Sequence, residues 1–198
     1  MPPISDLENR ILSLSARFLD VQIASEADTT FNPNLDDIAA FRLLVHAEIE
    51  DWLERCASAE LNDLAQRCVS PTPLRTSSRL FLLASLFEVQ LPLFLPFSAI
   101  DFQKSATEIL NKARQFVKDN NGIKAGSFCK IAVICGACID EIDDNLIQAL
   151  NSYGTARGMV AHKSSQRVTS LLAPSAEKNE AMNLIGMLKT FFGTLHPI

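Results

Sequence analysis

Residues 35–57 read LDDIAAFRLLVHAEIEDWLERCA, and the spacing of their large apolar side chains decides the fold class. Ile38, Phe41, Val45, Ile49, Trp52 and Cys56 recur every three or four positions. That is the repeat of one face of a helix with 3.6 residues per turn. Arg42, His46 and Glu50 follow at i, i+4 and i+8 along one edge of the same face. Their ordinary reading is a row of solvated side chains. The functional reading sets Arg42, His46 and Glu50 along a cleft opposite another helix, as substrate contacts. The helix starts near Leu35 and either runs on through SAELNDLAQRCV or breaks and restarts there.

Other helices follow on both sides. Ser5 and Glu8 make a capping-box pattern, S-D-L-E, ahead of an amphipathic run, which predicts a helix over 5–23. A polar loop, ASEADTTFNPN, separates it from the central stretch. The prolines of SPTP (70–73) break the chain. SSRLFLLASLFEVQ (77–90) reads as a helix apolar nearly all round, expected to be central, and LPLFLPF as extended or turning. Residues 101–119 form the next helix, ended by the NNG turn at 120–122.

SFCKIAVICGACI suits a strand by its β-branched content and a helix by its spacing. A lone strand would have nothing to pair with, so a helix is expected. Asp143 or Asp144 caps a helix over about 145–165. The last covers about 176–193, with Leu184, Ile185, Leu188, Phe191, Phe192 and Leu195 in one stripe. The whole predicts one domain across 1–198, an all-α, multi-helix, up-and-down bundle.

The chain has 198 residues, 47% of them hydrophobic and 21% charged, which is globular rather than disordered composition. A net charge of −5 argues against a protein that coats nucleic acid with a generally basic surface. It leaves room for a local basic site, and two windows are free of acids. Between Asp63 and Glu88 the charges are Arg67, Arg75 and Arg79; between Asp144 and Glu177 they are Arg157, Lys163 and Arg167, with His162 among them. The first residues lack the order of a signal peptide, and five cysteines suit a reducing compartment, so a cytoplasmic protein is expected. The apolar run 80–100 holds Glu88, Gln90, Pro92 and Pro96 and reads as core, not as a membrane span.

Cys135 and Cys138 form a C-x-x-C, but no second pair or nearby histidine completes four zinc ligands. With Cys129 they read as buried thiols acting as small hydrophobes. No glycine-rich phosphate loop, nucleophile elbow or H-E-x-x-H occurs in the sequence. No metal or other cofactor is expected.

YGTARGMVAH (153–162) remains. At 100° per residue, Leu146, Leu150, Tyr153, Val160 and Ala161 fall within about 60° of one direction, and Arg157 lies near the middle of that stripe. A guanidinium there needs a partner or a task. It can snorkel, or pair with a carboxylate on a neighbouring helix. His162 lies about 140° further round, so one helix cannot aim both at one small target. Met159 suggests cover on both helix faces. A two-fold dimer would bring two arginines and two histidines into one cleft fit for an anion such as a phosphodiester.

R-x4-H near the end of a late helix is the hallmark of the HEPN superfamily, which this sequence resembles. FRLLVHAEIEDWLERCA (41–57) is similar to the early HEPN helix that faces the R-x4-H helix. NNGIKAGSFCKIAVICGACI followed by LIQALNSYGTARGMVAHKS is similar to the C-terminal half of the RiboL-PSP-HEPN branch. The resemblance spans about residues 35–168.

It implies a metal-independent endoribonuclease, active at a homodimer interface, with Arg157 and His162 as the catalytic pair. Arg42, His46, Glu50 and Lys163 are the substrate contacts expected beside that pair. The family often carries a polar residue after the arginine, where this chain has Gly158. The tyrosine that follows the histidine in some family toxins is missing from HKSSQR. RNA is the implied substrate, a cognate antitoxin or inhibitor protein the implied partner, and toxicity, defence or RNA processing the implied role. No membrane is implied. The alternative is a HEPN-like helical module that binds RNA, a nucleotide or a protein without cutting. A plain dimerisation domain is the third reading.

Overall fold

The computed structural model describes residues 1–69, 74–91, 99–162 and 171–195. Eight α-helices are found among them: α1 Ile4–Phe18, α2 Asp20–Ser25, α3 Leu35–Arg67, α4 Leu74–Leu86, α5 Ala99–Asp119, α6 Ala125–Ile134, α7 Asp144–His162 and α8 Pro174–Leu195. A single 3₁₀ turn, Ile139–Glu141, precedes α7. The fold is an all-α bundle, as the periodicity predicts. No helix among the described residues is long and apolar enough to cross a membrane.

Helix α3 is the centre, packing against α1, α5, α6, α7 and α8. Its 33 residues run unbroken through SAELNDLAQRCV, a rod of about 50 Å. The Asn34 side chain caps it, accepting from the N–H groups of Asp36 at 3.1 Å and Asp37 at 3.3 Å. Every residue of the Ile38-to-Cys56 stripe is at most 1% exposed, and Trp52 meets Phe192 of α8 edge-on with ring centroids 4.9 Å apart. Fully burying a side chain of this size stabilises by about 1.5–3 kcal/mol, so the stripe holds α3 at the centre. The α8 stripe is buried too, with Leu195 partly covered at its end.

Three expectations are corrected. The helix expected over 5–23 is two pieces, because Leu19 (φ −118°) ends α1 and the Ser15 hydroxyl turns to Asp20 at 2.6 Å. Its first residue is Ile4, after Pro3, and Ser5 lies inside the helix rather than capping it. Helix α4 is not central: Leu80, Leu83 and Ala84 are buried, yet Phe81 is 64% exposed. Its apolar composition misled because one face packs and the other does not. Cys138 is exposed and Cys129 only half-buried, so of the three cysteines expected to be buried only Cys135 is. The SPTP break lies outside the described residues, as does most of LPLFLPF.

Helix ends follow ordinary chemistry. The 120–122 turn carries Gly122 at φ +124°, a conformation that side chains disfavour. Segment 125–134 is helical, and it stops in a Schellman turn: the Ala137 N–H donates to Ala132, that of Gly136 to Val133, with Gly136 at φ +103°. Arg79 of α4 donates to the Ile134 carbonyl at the same end and pairs with Glu60 of α3 at 3.0 Å. Asp143 caps α7, its carboxylate accepting from the Asn145 N–H at 2.9 Å.

Candidate functional site

Helices α3, α5, α6 and α7 enclose a cleft of about 640 Å³. Helix α3 contributes His46, α5 Phe116 and α7 Gly154, Arg157 and Gly158. Lys124, just ahead of α6, joins Gly126, Ser127 and Lys130 of that helix. Among the described residues the charged lining is entirely cationic: Lys124, Lys130 and Arg157. None of these three pairs with a carboxylate among the described residues. The concentration matters in a chain of net charge −5, because clustered cations in a concave, low-dielectric wall focus a field on whatever enters.

Arg157 sits where the periodicity sets it. Leu146, Leu150 and Tyr153 of the same stripe are at most 1% exposed. One turn beyond Tyr153 the stripe reaches the cleft, and there Arg157 is half-buried with its Nε shielded and without a hydrogen-bond partner. The expected carboxylate on a neighbouring helix goes to Arg42 instead. Met159 packs within the chain, beside Ala39, Leu43, Val160 and Leu171.

His46 is 3% exposed. Its Nδ1 has no hydrogen-bond partner, and the nearest carboxylate oxygen, Glu50 Oε2, is 3.7 Å away. Burial first, then the positive charges of Arg157 and Lys124, push its pKa down to about 4. The ring is therefore neutral at physiological pH.

The solvated reading of the α3 edge is corrected: two of its three members are buried. Arg42 is 1% exposed and grips Glu177 of α8 with two hydrogen bonds, Nε to Oε2 at 3.1 Å and Nη2 to Oε1. Glu177 also accepts from the Leu172 N–H at 2.8 Å. Arg42 thus ties α3 to α8 and does not line the cleft. Glu50 accepts from the Gly122 N–H and holds the turn that leads to Lys124; it stands behind the cleft wall. Of the expected substrate contacts among the described residues, only His46 lines the cleft.

His162 ends α7, is exposed and does not line the cleft. Arg157 and His162 do not converge within one chain, in keeping with their angular separation. Lys163 lies outside the described residues. Of the described charges in the first acid-free window, Arg67 pairs with Asp63 at 2.7 Å and Arg79 with Glu60.

Sequence reading missed Lys124, Lys130, Gly126, Ser127 and Gly154. A signal existed: K-x-G-S at a helix start places cations and small residues beside free N–H groups. It was hidden by the strand-or-helix ambiguity of that segment. Gly154 has a steric reason, since a Cβ there would lie 2.9 Å from Lys124 Cγ. At Gly158 a Cβ meets nothing within 4 Å, so the cleft wall is open there.

Among the described residues no three of His, Cys, Asp or Glu gather as metal ligands. The described lining offers three cations and one neutral imidazole, which suit the binding of an anion. Comparison with protein-family models, with curated proteins and with solved structures finds no match.

Proposed function

We propose that this chain is a metal-independent endoribonuclease of the HEPN type. It would hold an RNA phosphodiester with Arg157 and complete its active site across a two-fold dimer axis. The observation that supports it is the half-buried, carboxylate-free Arg157 opening on a cleft shared with Lys124 and Lys130. A guanidinium in such a place binds phosphate oxygens two at a time and stabilises the charge they gain in the transition state.

In the proposed reaction the RNA 2′-oxygen attacks the adjacent phosphorus and the 5′-oxygen departs. One His162 accepts the 2′-hydroxyl proton, and the His162 of a second copy donates a proton to the leaving oxygen. The products are a 2′,3′-cyclic phosphate and a 5′-hydroxyl. His162, exposed at the end of α7, is accessible to such a partner. His46 is an unsuitable proton carrier at neutral pH, because its pKa of about 4 lies too low; it serves as a neutral wall. A cytoplasmic toxin, defence or RNA-processing role would follow, with an inhibitor protein as its natural control.

The test is cleavage of single-stranded RNA in excess chelator, with the mass of the protein in solution measured alongside. His162→Ala should lower cleavage by about 10²–10⁴-fold with the fold intact. Arg157→Ala should weaken both binding and turnover, and Arg157→Lys should not rescue, because the planar fork is lost. Undiminished cleavage in both alanine variants, or a monomer that cleaves, ends this reading.

A second reading is favoured by one observation, the absence of His162 from the cleft lining. It makes the domain an RNA-binding module that does not cut. RNA binding sensitive to Arg157→Ala, with no cleavage and no growth defect on expression, would select it.

A further inference from the structure

We infer that the first turn of α6 is a subsite for a phosphate monoester, such as the terminal phosphate of an RNA strand. The inference shares the cleft of the proposed ribonuclease and rests on that reading only for RNA as the source of the phosphate. Four independent features meet there.

The first is the free end of the helix. Lys124 is the N-cap residue of α6 and makes no side-chain cap. The Ala125 N–H is taken by Asn151 Oδ1 at 2.8 Å, and that of Ser127 by the Lys124 carbonyl at 2.9 Å. The Gly126 N–H, between them, has no partner among the described residues, and Gly126 is exposed in the cleft. A ten-residue helix leaves partial positive charge at this end.

The second is charge. Lys124, Lys130 and Arg157 line the same cleft without carboxylate partners among the described residues. A monoester carries about 1.5–2 negative charges near neutrality, against one for a diester. With Arg157 assigned to the diester, two lysines and a helix terminus remain to match the more highly charged group. Lys130 Nζ rests 5.2 Å from the centre of the Phe116 ring, its positive charge otherwise uncommitted.

The third is His46. This imidazole is 3% exposed, lines the cleft and has no hydrogen-bond partner among the described residues, its Nδ1 lying on the Glu50 side. A buried imidazole without a partner in the wall of a cleft commonly marks a missing ligand or water. The fourth is room. A side chain at Gly126 or Gly158 would meet nothing within 4 Å, so an anion can approach the backbone of both helices. Ser127 adds a hydroxyl donor to the same lining.

The experiment uses the full chain carrying His162→Ala, so that no substrate is consumed. Backbone amide resonances are followed while inorganic phosphate, a mononucleotide, and one oligoribonucleotide with either a 5′-phosphate or a 5′-hydroxyl are added. The expected result is a saturable shift of the Gly126 and Ser127 amides with phosphate, and binding of the 5′-phosphorylated strand about tenfold tighter than of its 5′-hydroxyl twin. Lys130→Gln and Ser127→Ala should each remove most of that difference while the thermal midpoint stays put.

A mononucleotide that binds as tightly as the phosphorylated strand supports the subsite and identifies a free nucleotide as the source. Equal affinity for the two strands overturns the monoester assignment, whether or not Arg157 and His162 prove necessary for cleavage. Phosphate that leaves both amides unmoved overturns the subsite itself. Loss of cleavage in the Arg157 and His162 variants alone would leave the ribonuclease reading standing without it.

Discussion

Arg42 and Glu177, 135 residues apart in sequence, form a two-point ion pair at the heart of the bundle, with exposures of 1% and 0%. Such a pair adds little over well-packed apolar residues, but losing one member leaves the other charge stranded. Arg42→Met should therefore cost about 3–5 kcal/mol, read as a lower urea midpoint. The double variant Arg42→Met/Glu177→Leu should recover most of that loss. Burial raises the Glu177 pKa above the usual carboxylate range, so the stranded carboxyl of the single variant would take up a proton and soften the loss at acid pH.

His46 predicts an acid sensitivity. Its pKa is about 4 in the folded chain against 6.5 for the free side chain. Between those values the unfolded chain binds a proton that the folded chain refuses. Stability is thus complete above pH 6.5 and falls as pH drops towards 4, by about 3 kcal/mol in all. Unfolding free energies from pH 7 to 4 should show this slope, and His46→Gln should flatten it. An unchanged slope in the variant would assign the effect to carboxylates.

Two glycines one turn apart on α7 should behave oppositely. Gly158→Ala puts a methyl group into open space on a helix and should stabilise by about 0.5–1 kcal/mol. Gly154→Ala drives its Cβ against the Lys124 stem. Displacing that ammonium should weaken RNA binding and reduce the salt dependence by roughly one phosphate contact. Thermal melts and binding at several salt concentrations separate the two effects.

Glu88, two residues past the end of α4, has φ +53°, with the Val89 N–H donating to Ala84 in the same turn that Gly136 makes after α6. Glu88→Gly should relieve the left-handed strain and raise stability by about 0.5–1 kcal/mol after the entropy cost of glycine. A raised urea midpoint at constant slope checks it.

The helices could be read from the sequence wherever the apolar repeat was long, as in α3 and α8, because burial of one face imposes the period. Their ends were less legible. Ser5 mimicked a cap that Pro3 supplied by geometry alone, and α4 looked central because composition does not say which faces find partners. Arg157 was legible as an anomaly in a stripe. Its neighbours in the cleft were not, since Gly126, Ser127 and Lys130 lie on a separate helix and Lys124 just ahead of it. The solvated look of Arg42 and His46 reflected their residue type, while their burial depends on α7 and α8, more than a hundred residues later.

Helix α3 presents Arg42, His46 and Glu50 one turn apart, each to a different part of the chain: α8, the cleft wall and the loop after α5. During synthesis the amino-terminal half leaves the ribosome first. Arg42 must then wait, its guanidinium hydrated, until the last helix emerges and docks. A nascent chain halted before Glu177 would carry the whole of α3, with Gly122 already available to Glu50, and Arg42 alone of the three without its latch.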